Sequence, residues 1–107
     1  MSIKFFYNNY DLTENKVLKV EVKNNKLYLY LVMNAYLELI ANGYRPEMDI
    51  DISNVFIFNT LNNDIIIDDI KDIYVSSHND NEIVFMINNI EYKCYGEINV
   101  LYENYSY

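Results

Sequence analysis

One histidine, one cysteine and sixteen carboxylates are the side chains of this 107-residue chain with the chemistry for acid–base, nucleophilic or metal-binding work. Catalysis needs a nucleophile beside a base, a pair of carboxylates, or a metal cage. His78 lies in Ser76-Ser77-His78-Asn79-Asp80, which reads as an exposed turn. Cys94 lies in Tyr92-Lys93-Cys94-Tyr95 at strand spacing, where a free thiol is ordinarily a small buried hydrophobe. Gly43 and Gly96 stand alone, so there is no glycine-rich phosphate loop. The expectation is a protein without catalytic residues and without a cofactor.

The carboxylates are grouped. Asp49 and Asp51 share one face of a predicted strand, Asp64, Asp68, Asp69 and Asp72 crowd the region after it, and Asp80 and Glu82 follow. Hard cations such as calcium take several oxygen ligands from loops of this composition. No stretch matches the calcium-binding loop, however, and no glycine supplies its sharp turn, so no metal site is expected. Glycosidases also use carboxylate pairs, but they are generally larger and line their grooves with Trp, which is absent here.

Recognition is the remaining chemistry. The net charge of -8 argues against a nucleic-acid backbone or an anionic membrane as partner and favours a cationic one. Tyr28, Tyr30 and Tyr36 line the even face of one long apolar run. Tyrosine offers broad contact area with few torsions to freeze, and its ring attracts cations. The rings can equally pack a second sheet. Tyr28, Tyr30 and Tyr36 together with Asp49, Asp51, Asp64, Asp68, Asp69 and Asp72 form the expected partner-binding set, and the expected partner is a basic protein.

The elements that must position these residues follow a period of 2 almost throughout. Ser2–Tyr10 reads as a first strand. From Val17 to Lys23, Leu18, Val20 and Val22 alternate with Lys19, Glu21 and Lys23; Asn24-Asn25 then separates this run from the next. Asn enters the left-handed region that tight hairpins require, and in a chain with only 2 Gly it takes over that role. Leu27 to Leu39 alternates as one strand bent near Asn34, with a short helix over 34–43 as the alternative. Met48 to Phe58 alternates with a parity slip at Ser53-Asn54, and Leu61 to Asp64 is a turn. Ile65-Ile66-Ile67 and Ile70 to Val75 are short strands around Asp68-Asp69, and Ser76 to Asn81 is a polar loop. Glu82–Asn88 and Ile90–Cys94 form a hairpin across Asn88-Asn89, and Glu97–Tyr102 is a last strand. The pattern predicts a single, mainly β domain over 1–107: an antiparallel β-sandwich or curled barrel, monomeric or weakly dimeric.

The lone cysteine, the absence of a signal-peptide pattern and the absence of an apolar run near the ~20 residues of a membrane span lead to a cytoplasmic setting. The layout Asp49-Ile50-Asp51-Ile52-Ser53-Asn54-Val55-Phe56-Ile57-Phe58, then Ile65-Ile66-Ile67-Asp68-Asp69-Ile70, then a closing hairpin, resembles small acidic β-rich immunity proteins of bacterial polymorphic toxin systems. It covers about half the chain, with Ser-Asn-Val-Phe its most specific piece. The resemblance implies tight binding to one cognate effector, such as a basic nuclease, with no catalytic residues carried over. A phage-encoded inhibitor that mimics nucleic-acid charge, for instance against a CRISPR effector, fits the acidity equally, and a structural or assembly subunit is the third class.

Overall fold

A computed structural model describes residues 1–13, 15–32 and 54–102. They form one helix, α1 (Ile3–Asn9), and seven strands: β1 (Lys16–Lys23), β2 (Lys26–Val32), β3 (Asn54–Thr60), β4 (Ile65–Ile67), β5 (Ile73–His78), β6 (Glu82–Ile87) and β7 (Ile90–Tyr102). All seven belong to one sheet in the order β4-β1-β2-β3-β7-β6-β5, and each neighbouring pair is antiparallel. The sheet curls into a half-barrel. Of the two architectures open from the sequence, the curled sheet is therefore the one formed. The stretch 34–43, Tyr36, Asp49 and Asp51 lie outside the described residues.

Both Asn-Asn pairs turn hairpins as expected. Asn24 and Asn25 have φ of 52° and 61°, and Asn88 and Asn89 have φ of 50° and 67°. Two consecutive positive φ values make the type I′ turn, whose twist matches that of the flanking strands. Leu27, Leu29 and Leu31 of β2 are fully buried, while Tyr28 and Tyr30 on the opposite face are half-buried. The concave face holds the core, with Val20, Val22, Phe56, Phe58, Ile83, Phe85, Ile87 and Ile98 around it.

The expected strand at Ser2–Tyr10 is instead the helix α1. Ser2 is its N-cap, its hydroxyl accepting the Phe5 N–H at 3.1 Å. Helical spacing puts Ile3 and Phe6 on one buried side. Phe6 fills the mouth of the half-barrel, with its ring edge-on to Phe56 (5.0 Å), Phe58 (5.2 Å) and Phe85 (6.2 Å) and stacked on Tyr10 (5.6 Å). Residues such as Phe, Tyr and Asn are mediocre helix formers, so packing against the open concave face decides this segment.

Three bulges bend the strands. The register shifts between Val17 and Lys19 in β1, between Val75 and Ser77 in β5, and opposite Ile57–Asn59 in β7. Each leaves residues unpaired and increases the local twist, which curls the sheet. The last bulge joins the two strands expected at Ile90–Cys94 and Glu97–Tyr102 into one. Gly96 takes φ of +74°, its N–H donating to Asn81 O (3.0 Å). Ile98 N–H then donates to Met1 O (2.8 Å), so β7 leaves β3 briefly to bond the N-terminal backbone. The strand expected at Ile70–Val75 is displaced. β5 begins at Ile73 and runs through His78, so the turn is Asn79–Asn81, and His78 is the last strand residue. Asn79 Oδ1 accepts the N–H groups of Asn81 and Glu82, both at 2.8 Å, which tightens that turn.

Strand polarity explains why the barrel stays open. With seven strands joined by six antiparallel pairings, the two edge strands β4 and β5 run in the same direction. Only residues 68–72 connect them. A parallel pair needs a crossover of about a dozen residues or more, so β4 and β5 cannot pair. They form one ascending segment that pairs first with β1 and then with β6, along the seam of the half-barrel.

Candidate functional site

The seam segment carries the acidic cluster. Asp64, Asp68, Asp69 and Asp72 are all exposed, and the only cation among residues 64–72 is Lys71. Asp64 Oδ1 accepts the Asn24 N–H of the β1–β2 turn at 3.3 Å. The other three belong to the 68–72 connection, whose backbone is clamped by Asn88. The Asn88 side chain accepts the N–H groups of Lys71 (2.7 Å) and Asp72 (3.2 Å) through Oδ1 and donates to Asp69 O (2.9 Å) through Nδ2. Its own backbone N–H donates to Asp72 O at 2.8 Å. The positive φ of Asn88 and its amide therefore do separate things, one turning the β6–β7 hairpin and the other fixing the acidic connection against it.

Beside these carboxylates lies an apolar groove of about 260 Å³, between β4 and the β6–β7 hairpin. Ile65, Ile66, Ile87, Ile90 and Tyr92 line it, with Asp68 and Asp69 at its margin. Ile87 and Tyr92 form its buried base, whereas Ile66 and Ile90 stand 65% and 55% exposed. Leu61, on the loop between β3 and β4, is 79% exposed. Ion pairs among the described residues are Met1–Glu97 and Glu91–Lys93; neither involves Asp64, Asp68, Asp69 or Asp72.

The predicted tyrosines sit elsewhere on the sheet. Tyr28 lies in the cross-strand row Ile66, Glu21, Tyr28, Ile57, so it shares the convex face with Ile66 two strands away. Tyr30 already holds a cation: Lys19 Nζ lies 4.5 Å from its ring centroid. Asp68, Asp69 and Asp72 thus lie on the connection held at the β6–β7 hairpin, Asp64 lies at the other end of β4 against the β1–β2 turn, and Tyr28 and Tyr30 lie on β2.

His78 stacks on Tyr7 of α1, with ring centroids 3.8 Å apart and planes 25° from parallel, so it helps seat the helix. The bulge at Ser76 turns His78 to the helix side. Cys94 is fully buried opposite Thr60, and burial pushes its thiol up to about 12. Burial likewise raises Tyr92 above the ordinary phenol value. Among the described residues no group of His, Cys, Asp and Glu is arranged to hold a metal ion, and no helix is long and apolar enough to cross a membrane.

Sequence reasoning missed the groove and its clamp. Ile65-Ile66-Ile67 does not alternate, so at least one Ile must face away from the core, and the one that does is Ile66, on the convex face with Tyr28. Nothing local marked Asn88 as more than a turn residue, because its partners lie 16 to 19 positions away. No family model, curated protein or solved structure matches the chain.

Proposed function

We propose that this protein is a non-catalytic binding protein that covers a basic protein partner with the acidic seam of its half-barrel. The observation that carries this reading is the exposed set Asp68, Asp69 and Asp72 on a connection whose backbone Asn88 holds, with Asp68 and Asp69 beside an apolar groove. A connection whose backbone is ordered before binding loses little entropy on association, and its carboxylates create a local potential that speeds encounter with a cation-rich surface. The net charge of -8 adds to that field. An inhibitor that occludes a toxin or nuclease needs this kind of surface and no chemistry of its own, in keeping with the resemblance to immunity proteins.

The test begins with a partner captured by crosslinking in the native cell and then purified. Replacing Asp68, Asp69 and Asp72 together with Asn is expected to slow association by tenfold or more at low salt, with little change in dissociation. The wild-type rate is expected to fall steeply as salt rises, because the Debye length shrinks from about 10 Å at 0.1 M to about 3 Å at 1 M. A rate indifferent to salt and to the triple replacement would overturn the reading.

A further inference from the structure

We infer that the groove between β4 and the β6–β7 hairpin takes a single aliphatic side chain of the partner, presented by a segment in which lysine or arginine flanks it. This rests on the reading above and names what the basic partner must insert. At about 260 Å³ the groove is near the small end of the ~300–1,000 Å³ range of ligand pockets, and it has room for an aliphatic side chain. Its wall is built from isoleucines, and the buried Tyr92 and Ile87 give it a fixed floor. The polar groups at the margin that carry charge are Asp68 and Asp69, both exposed.

Charge selects among the occupants that such a groove admits. A second copy of this chain would bring a surface of net charge -8 against the same aspartates. A fatty-acid carboxylate or a nucleic-acid phosphate would meet the same repulsion. A neutral apolar ligand would satisfy the isoleucines but gain nothing from the hydrated carboxylates of Asp68 and Asp69. Only an aliphatic side chain between cations matches both the walls and the margin. Such an anchor, desolvated in a preformed pocket at the centre of a charged rim, is where binding energy concentrates in protein interfaces.

The experiment uses the full chain with ¹³C-labelled isoleucine methyl groups, assigned by single Ile→Val variants, and three synthetic nine-residue peptides. The first has one central leucine among lysines and glycines, the second replaces that leucine by alanine, and the third replaces the lysines by glutamates. The expected result is saturable shifts of the Ile65, Ile87 and Ile90 methyls with the first peptide, while Ile57 on the convex face stays still. Binding is expected to weaken at least tenfold with either of the other peptides and with D68N/D69N. I90E, at an exposed position that leaves folding intact, is expected to abolish it. If the alanine peptide binds as well as the leucine peptide, the groove is not the anchor site, although the basic partner stands. If the glutamate peptide binds as well, both readings fall. No shift with any peptide overturns the groove inference alone, since the proposed function is tested by association kinetics with the whole partner. Shifts of Ile90 that follow protein concentration without peptide would show that a second copy is the occupant, and would overturn it too.

Discussion

Asn88 and Asn24 adopt nearly the same left-handed backbone conformation, with φ of 50° and 52°, but only Asn88 uses its side chain to bind distant backbone. Replacement by Gly separates the two contributions, because Gly keeps the turn and removes the amide. Asn24→Gly is expected to change stability by less than about 0.5 kcal/mol. Asn88→Gly is expected to cost about 1–3 kcal/mol in urea unfolding, since three side-chain hydrogen bonds at roughly 0.5–1.5 kcal/mol each are lost and partly recovered from water. Amide exchange at Lys71 and Asp72 should accelerate only in the Asn88 variant; equal behaviour of the two variants would refute the clamp. Cys94 gives a prediction about pH. Its thiol is raised from 9.0 to about 12 by burial, so the folded state holds its proton where the unfolded state has lost it. The sign follows: this contribution is intact below about pH 9 and is lost as pH rises towards 12, at about 1.4 kcal/mol per unit. Cys94→Ala is expected to flatten the alkaline limb of the stability curve even though it lowers stability at pH 7. Native protein at pH 8 is expected to react with iodoacetamide only through unfolding.

Helix α1 shows how an element of marginal intrinsic stability is held by its surroundings. At seven residues it is well short of the ~12–15 that an isolated helix needs. Its permanence comes from the Ser2 cap, Ile3 and Phe6 in the core, and the Tyr7–His78 stack. Phe6→Ala is expected to destabilise by about 3–5 kcal/mol, because it opens a cavity between Phe56, Phe58 and Phe85. Ser2→Ala is expected to cost about 1 kcal/mol. Both are read from denaturant midpoints, and a Phe6→Ala cost near zero would mean that the helix does not plug the half-barrel. The β7 bulge is the other element-scale test. A Cβ at position 96 would meet Asn59 Nδ2 at 3.7 Å, an ordinary contact, so space is not the constraint. The positive φ of Gly96 is, and Gly96→Ala is expected to cost about 1–2 kcal/mol. Gly96→Asn is expected to cost less, since Asn tolerates that region.

For the whole molecule, the charge proposed to serve binding opposes folding. Sixteen acidic residues face eight basic ones, and Asp68 and Asp69 are adjacent and exposed. Like charges held close in a folded loop repel, and salt relieves the repulsion. The double replacement D68N/D69N is therefore expected to raise stability by a few tenths to about 1 kcal/mol at low salt, with the gain vanishing near 1 M salt. The same replacement is expected to slow partner association. Thermal midpoints at two salt concentrations check the first half. A double variant less stable than wild type at low salt would show that these carboxylates serve the fold instead.

Alternation and Asn chemistry alone determined the hairpins. Lys19–Lys23, Asn24-Asn25 and the start of the Leu27 run specify β1 and β2, because side-chain period and turn conformation are local properties of the chain, whereas the bulge at Leu18 puts Val17 rather than Leu18 against the core. The same holds for Asn88-Asn89 between β6 and β7. The acidic character of the 64–72 region was also legible, being a matter of composition. Tertiary structure decided what depends on residues far apart. Ile3, Phe5 and Tyr7 alternate as a strand would, while Ile3 and Phe6 also fit a helix; only the open mouth of the half-barrel resolves the ambiguity. The joining of two expected strands into β7 rests on Gly96 N–H reaching Asn81 and Ile98 N–H reaching Met1, 97 positions away. The groove exists because β4 and β5 run the same way and cannot pair, a consequence of sheet order that no local pattern encodes. Asp68 and Asp69 were visible as charges next to Ile65 and Ile66, but their position beside Ile90 of the β6–β7 hairpin follows from the amide of Asn88, which closes its hydrogen bonds only when the seam is assembled.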